Sequence, residues 1–213
     1  MIGNLVMLSC LEKEDVNRVT VISRRTTGVK HPKLTEVVID NFLDLSSIEK
    51  HFLNQDICFY CLGVYTGQVS KEKFKEITVD YTKSWAETLR RNSEKTTICY
   101  LSGQGAADPG DTSSMMFARN KGEAEKNLTG LQFAQTYLFR PGYIYPVTPR
   151  TEPNFTYKIM RLLYKPILSK LSTNLSITSD ELAIAMIQVG FQGWRTSILE
   201  NRDILEAAKE RPE

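Results

Sequence analysis

Five groups of residues have types and spacing that could do chemistry. Ser102-Gly103 closes one apolar run, Phe117 and Lys121 stand four residues apart, and Arg140-Pro141-Gly142 closes a second apolar run. On a helix, a four-residue spacing puts Phe117 and Lys121 on one face. Phe117 has no proton to give, so acid–base work there falls to Lys121 or to a tyrosine brought from elsewhere, with Tyr145, Tyr143, Tyr60 and Tyr65 the candidates. Ser23-Arg24-Arg25 follows a β-branched run; paired arginines suit a phosphate or simply a solvated loop. Cys58 and Cys61 form a CxxC, which invites a redox or zinc reading. That segment reads as a strand, however, and residues three apart on a strand point to opposite faces. With two histidines in the chain and no second CxxC, a metal site is poorly supplied and none is expected.

The elements that must position these groups alternate between strand and helix. Short uniformly apolar runs near 19–22, 37–39, 58–62, 97–101 and 133–139 read as buried parallel strands. Apolar residues at helical spacing predict helices over 4–11, 45–52, 74–89, 121–128, 157–168, 179–192 and 202–209, with Ser46 or Ser47 capping the second. This order predicts a parallel α/β sheet covered on both faces. The Pro-rich stretch 146–153 marks the start of a small C-terminal, substrate-side lobe within a single domain spanning 1–213.

The order Ser102, Lys121, Arg140-Pro141-Gly142 resembles the catalytic half of the short-chain dehydrogenase/reductase superfamily. Cys61-Leu62-Gly63 followed by Thr66-Gly67 is similar to its atypical, epimerase/dehydratase-like members, near the Tat-interacting-protein-like oxidoreductases. The resemblance runs from Gly3 to about Gly142 and implies a doubly wound Rossmann sheet that binds NADP or NAD. It implies that Gly3 is the last glycine of the glycine-rich turn, with the first strand and most of that turn lacking, so that the chain reads as N-terminally truncated and binds cofactor weakly; otherwise Gly3 is incidental. The strands near Val19 and Cys58 then flank the place of the first strand. Arg24 and Arg25 correspond to residues that favour the 2′-phosphate of NADP, and Asp40 to an adenine-contacting acid. Leu62, Gly63, Pro141 and Gly142 correspond to backbone that approaches the dinucleotide. Lys121 fits the lysine that holds the ribose and tunes a tyrosine, and Ser102 fits the serine that orients the carbonyl. The catalytic tyrosine itself is replaced by Phe117.

The rest of the composition sets limits. Formal net charge is +2 with acids and bases interleaved, which gives no electrostatic case for nucleic acid or an anionic membrane. The apolar start is interrupted by Glu12-Lys13-Glu14-Asp15, so it does not read as a signal peptide, and a cytoplasmic location is expected. The functional expectation is an NADP-preferring oxidoreductase or epimerase-like enzyme with a degenerate site, acting on an unknown small molecule. The alternative is a catalytically silent dinucleotide-binding redox sensor or partner-binding module of NmrA-like type. Oligomeric state is not legible.

Overall fold

A computed structural model describes residues 1–108, 115–148 and 175–210. The predicted helix over 157–168 lies outside the described residues, as do Arg150, Lys158 and Arg161. Helix α1 (Ile2–Glu12) opens the chain, followed by β1 (Val19–Ser23) and β2 (Leu34–Val38). A 3-10 helix over Ser46–Phe52 leads to β3 (Ile57–Tyr60). Helix α2 (Lys71–Lys75) passes through a π-helical turn at Glu76–Asp80 into α3 (Tyr81–Asn92). Then come β4 (Thr97–Leu101), α4 (Met116–Gly130), β5 (Gln135–Arg140) and β6 (Tyr143–Tyr145). After the undescribed segment follow β7 (Ser176–Thr178), α5 (Ser179–Gln192), β8 (Ile198–Glu200) and α6 (Asn201–Ala207).

Among the described residues every strand pair is parallel: β1 with β2, the four-stranded sheet β3-β4-β5-β8, and the small pair β6-β7. The two larger sheets are the two wings of a doubly wound α/β fold, and β1 and β3 are not paired with each other. Successive side chains alternate between two cores, as a pleated strand requires. Along β4 and β5, Cys99, Tyr137 and Phe139 join α1, α5 and α6 on one face. Ile98, Tyr100 and Leu138 join α3 and α4 on the other. Both faces being covered is why these runs are apolar throughout rather than alternating.

Local signals set several boundaries. Thr178 caps α5 with a reciprocal capping box, its Oγ1 accepting from the Glu181 N–H while Glu181 Oε2 accepts from the Thr178 N–H at 2.9 Å. Gly193, at φ +80, ends that helix. The segment 45–52 departs from its predicted form: it is a 3-10 helix capped by neither Ser46 nor Ser47, and the Ser46 N–H donates to Asp44 Oδ1 instead. Beyond residue 175 the chain returns to the main layers, with β8 beside β5 and α5 packed on α1.

Candidate functional site

The residues singled out above gather at the carboxyl ends of the strands. Ser23 ends β1 and is followed by Arg24 and Arg25; Asp40 lies two residues after β2; Leu62 and Gly63 follow β3; Ser102 follows β4; Pro141 and Gly142 follow β5. Gly3, Arg24, Arg25, Leu62 and Gly63 line one cavity of about 1060 Å³ between β1 and β3. Asp40 is exposed and stands outside its lining. Tyr145 is half-buried in β6, also outside it.

Gly3 has a packing reason to be glycine. A Cβ there would sit 3.3 Å from Cys61 Cβ, so the bare backbone lets the start of α1 close onto the end of β3. Gly63 differs, since a Cβ on it would meet nothing within 4 Å and its backbone faces open space. Gly142 is held by its neighbours: its N–H donates to Asn201 Oδ1 at 2.8 Å, and a Cβ would lie 2.5 Å from the Leu175 carbonyl oxygen. The glycine after Pro141 therefore seats β6 against the start of β7.

Helix α4 carries Phe117, Lys121 and Glu125 one turn apart on one face. The Phe117 ring lies over Gly103, where a Cβ would meet its Cζ at 2.8 Å, and its far side contacts Phe74 with ring centroids 6.3 Å apart. Lys121 is buried; its Nζ donates to the Leu101 carbonyl at 3.2 Å and lies 5.1 Å from the centroid of the Tyr100 ring. Burial pushes its ammonium down to about 8, against the opposing pull of Glu125 and Cys61.

Ser102 has a partner that the sequence reading missed. Its Oγ donates to Glu125 Oε1 at 2.5 Å, and both side chains are buried. Glu125 in turn receives Arg140 through Nε at 3.1 Å and Nη2 at 2.6 Å. Arg140 is also buried, and it reaches out to Asp108 at 2.9 Å and Glu200 at 3.4 Å. The hydroxyl proton of Ser102 is thus engaged by a carboxylate that locks β4, α4 and β5 together. Two signals pointed to this network: an acid one turn beyond Lys121, and an arginine closing an apolar strand.

Tyr65 and Tyr143 are half-buried, whereas Tyr60 and the two cysteines pack into or against the core. The Tyr60 ring lies between Trp85, tilted with centroids 4.5 Å apart, and Tyr100, stacked at 5.6 Å, and burial pushes its phenol well above the usual range. Cys58 packs against the α3–α4 core and Cys61 against the α1–α5 core, on opposite faces of the sheet. Burial pushes each thiol up to about 12, so neither is a thiolate at neutral pH. Among the described residues no group of three His, Cys, Asp or Glu could hold a metal ion. Among them, too, no helix is long and apolar enough to cross a membrane.

No family model matches the chain. It is 24% identical to Protein HTATIP2 of Rattus norvegicus across 98% of this chain and 85% of that one. Its fold is shared with the Bordetella bronchiseptica enzyme WbmG, solved in complex with NAD, at a TM-score of 0.66 and 12% identity over 94% of this chain and 69% of the other. UDP-N-acetylglucosamine 4-epimerase from Bacillus cereus is similar too, at a TM-score of 0.63 and 14% identity, covering 97% of this chain and 79% of its own. The chain is thus similar to HTATIP2 over nearly its full length, and it shares a doubly wound parallel α/β fold with the NAD-complexed WbmG.

Proposed function

We propose that the chain is an NADP-preferring, reductase-like protein of the cytoplasm whose acid–base centre is rebuilt around Lys121. The observation that carries this reading is the placement of Arg24, Arg25, Gly63, Ser102 and Lys121 along the carboxyl edge of one fold, where open α/β sheets hold their ligands. The residues suit a dinucleotide. Arg24 and Arg25 are exposed and form no ion pair among the described residues, so both are available to a 2′-phosphate. The open backbone at Gly63 admits a ligand's close approach, and Lys121 is a cation near the place of the ribose. When bound, the nicotinamide supplies or accepts a hydride.

The chain's own contribution is the proton. Phe117 has none, and that of Ser102 is engaged by Glu125. Lys121, with its ammonium near 8, stays mostly protonated at pH 7 and is matched to give a proton to a substrate oxygen. The second reading is a binding module without chemistry. It is favoured by the Phe117 ring resting on Gly103, where it covers the backbone beside Ser102.

One assay separates them: NADPH oxidation over a panel of aldehydes and ketones. The reductase reading expects slow turnover that declines above about pH 8, as Lys121 loses its proton, and that disappears in Lys121→Ala. Phe117→Tyr restores a phenol one turn from Lys121 and is expected to raise turnover about 10²-fold. NADPH binding with no turnover in either the parent or Phe117→Tyr would establish the binding module instead.

A further inference from the structure

The loop that carries Arg24 and Arg25 is fastened to the strand beside it. As the chain leaves β1, the Ser23 Oγ donates to the Arg25 carbonyl at 2.5 Å and bends the backbone around the two arginines. Glu36 lies opposite Val21 in the β1–β2 register, two residues before β1 ends. Its carboxylate takes one bond on each oxygen: Oε2 accepts from the Thr26 hydroxyl at 3.0 Å, and Oε1 from the Thr27 N–H at 2.6 Å. The Thr26 and Thr27 hydroxyls accept in turn from the N–H groups of Gly28 and Val29, both at 3.2 Å. Gly28, at φ +74, then supplies the left-handed turn that glycine permits. The backbone after the arginines is therefore anchored, while their guanidinium groups line the cavity and make no ion pair among the described residues.

An acid on the neighbouring strand could have quenched the arginines by pairing with them. Both Glu36 oxygens are instead engaged by Thr26 and Thr27, and those bonds hold its carboxyl below the usual range. We propose that Glu36 is a positioning residue for cofactor choice, anchoring the loop so that Arg24 and Arg25 stand ready for a 2′-phosphate. The inference rests on the NADP reading above. A loop ordered before the ligand arrives does not have to be ordered by it, so that entropy cost does not oppose binding. The effect is confined to the dinucleotide that bears the phosphate, since NADH offers the arginines nothing to grip at that position. Glu36 itself touches no cofactor atom in this scheme and acts through the two arginines.

The test measures NADPH and NADH affinity on the full chain and on Glu36→Ala and Glu36→Gln. Glutamine keeps an acceptor for the Thr27 N–H and a donor for the Thr26 oxygen, so it preserves the anchor without the charge. Glu36→Ala is expected to lower the preference for NADPH over NADH about 5-fold, with NADH affinity unchanged. Glu36→Gln is expected to keep most of the preference. Amide exchange at Thr27 should quicken in the alanine variant and stay slow in the glutamine variant. A preference that survives or grows in Glu36→Ala overturns the inference, as does an equal loss of both dinucleotides, which a purely structural role would give. A glutamine variant that loses as much as alanine overturns it in favour of charge alone. A parent chain with no preference overturns the NADP reading and the inference together, and is told apart from the other outcomes by the parent's own titration.

Discussion

Strands β4 and β5 are paired on both edges and covered on both faces, whereas β1 is paired on one edge and half-buried along its whole length. The first region holds Ser102, Lys121, Glu125 and Arg140 in fixed buried contacts; the second offers Arg24 and Arg25 to solvent beside a large cavity. The difference teaches where this protein keeps its rigidity. The side that holds Ser102 and Lys121 is locked by charge and packing, and the side that carries Arg24 and Arg25 is the one left adjustable.

The largest effect should come from the lock. Glu125→Ala leaves the buried Arg140 guanidinium without its bidentate partner, and breaking a buried pair costs about 3–5 kcal/mol. Denaturant unfolding is expected to show that loss; one below 1 kcal/mol would mean that Asp108 and Glu200 alone hold Arg140. A matched pair of truncations sharpens the contrast between regions. Ile98→Ala, in fully buried β4, is expected to cost about 2–5 kcal/mol. Val21→Ala, in half-buried β1, should cost about 1 kcal/mol or less. Equal losses would erase the proposed difference between the two wings.

Lys121 gives a smaller, pH-dependent effect. Its folded ammonium sits near 8, below the usual 10.5, so between those values the unfolded chain holds a proton that the folded chain has released. The stability due to this group therefore rises with pH across that window. Lys121→Met removes a buried charge and is expected to stabilise the protein by roughly 1–3 kcal/mol at pH 7. Melting curves of the two proteins should converge as pH climbs from 8 toward 10.5. A constant difference over that range would mean that Lys121 does not titrate there.

Much of the fold was legible because burial on both faces forces uniform composition. The run at Thr97–Leu101 and the helix at Ser179–Gln192 follow from their apolar pattern and, for the helix, from its cap. The three-residue strands β6, β7 and β8 were not legible, because so short a segment is extended only by virtue of the neighbour it pairs with. Nor does periodicity reveal the π-helical turn at Glu76–Asp80, which interrupts an otherwise continuous helical pattern. At the candidate site, the four-residue spacing placed Phe117 and Lys121 on one helix, as α4 bears out, yet the sequence hid the engagement of Ser102. A hydrogen bond between residues 23 apart depends on how α4 lies across β4, which local sequence does not encode.

The most direct test of the central reading is a titration of NADPH against NADH, on the wild-type chain and on the Arg24→Ala/Arg25→Ala variant. Charge-assisted bonds to a phosphate contribute about 1.5–3 kcal/mol each, so wild type is expected to favour NADPH at least about 10-fold. The double variant should lose most of that preference while keeping its NADH affinity, because both side chains lie outside the buried contacts that hold the fold. Equal affinity for the two dinucleotides in the wild-type chain, or a preference that survives the double substitution, would contradict the reading.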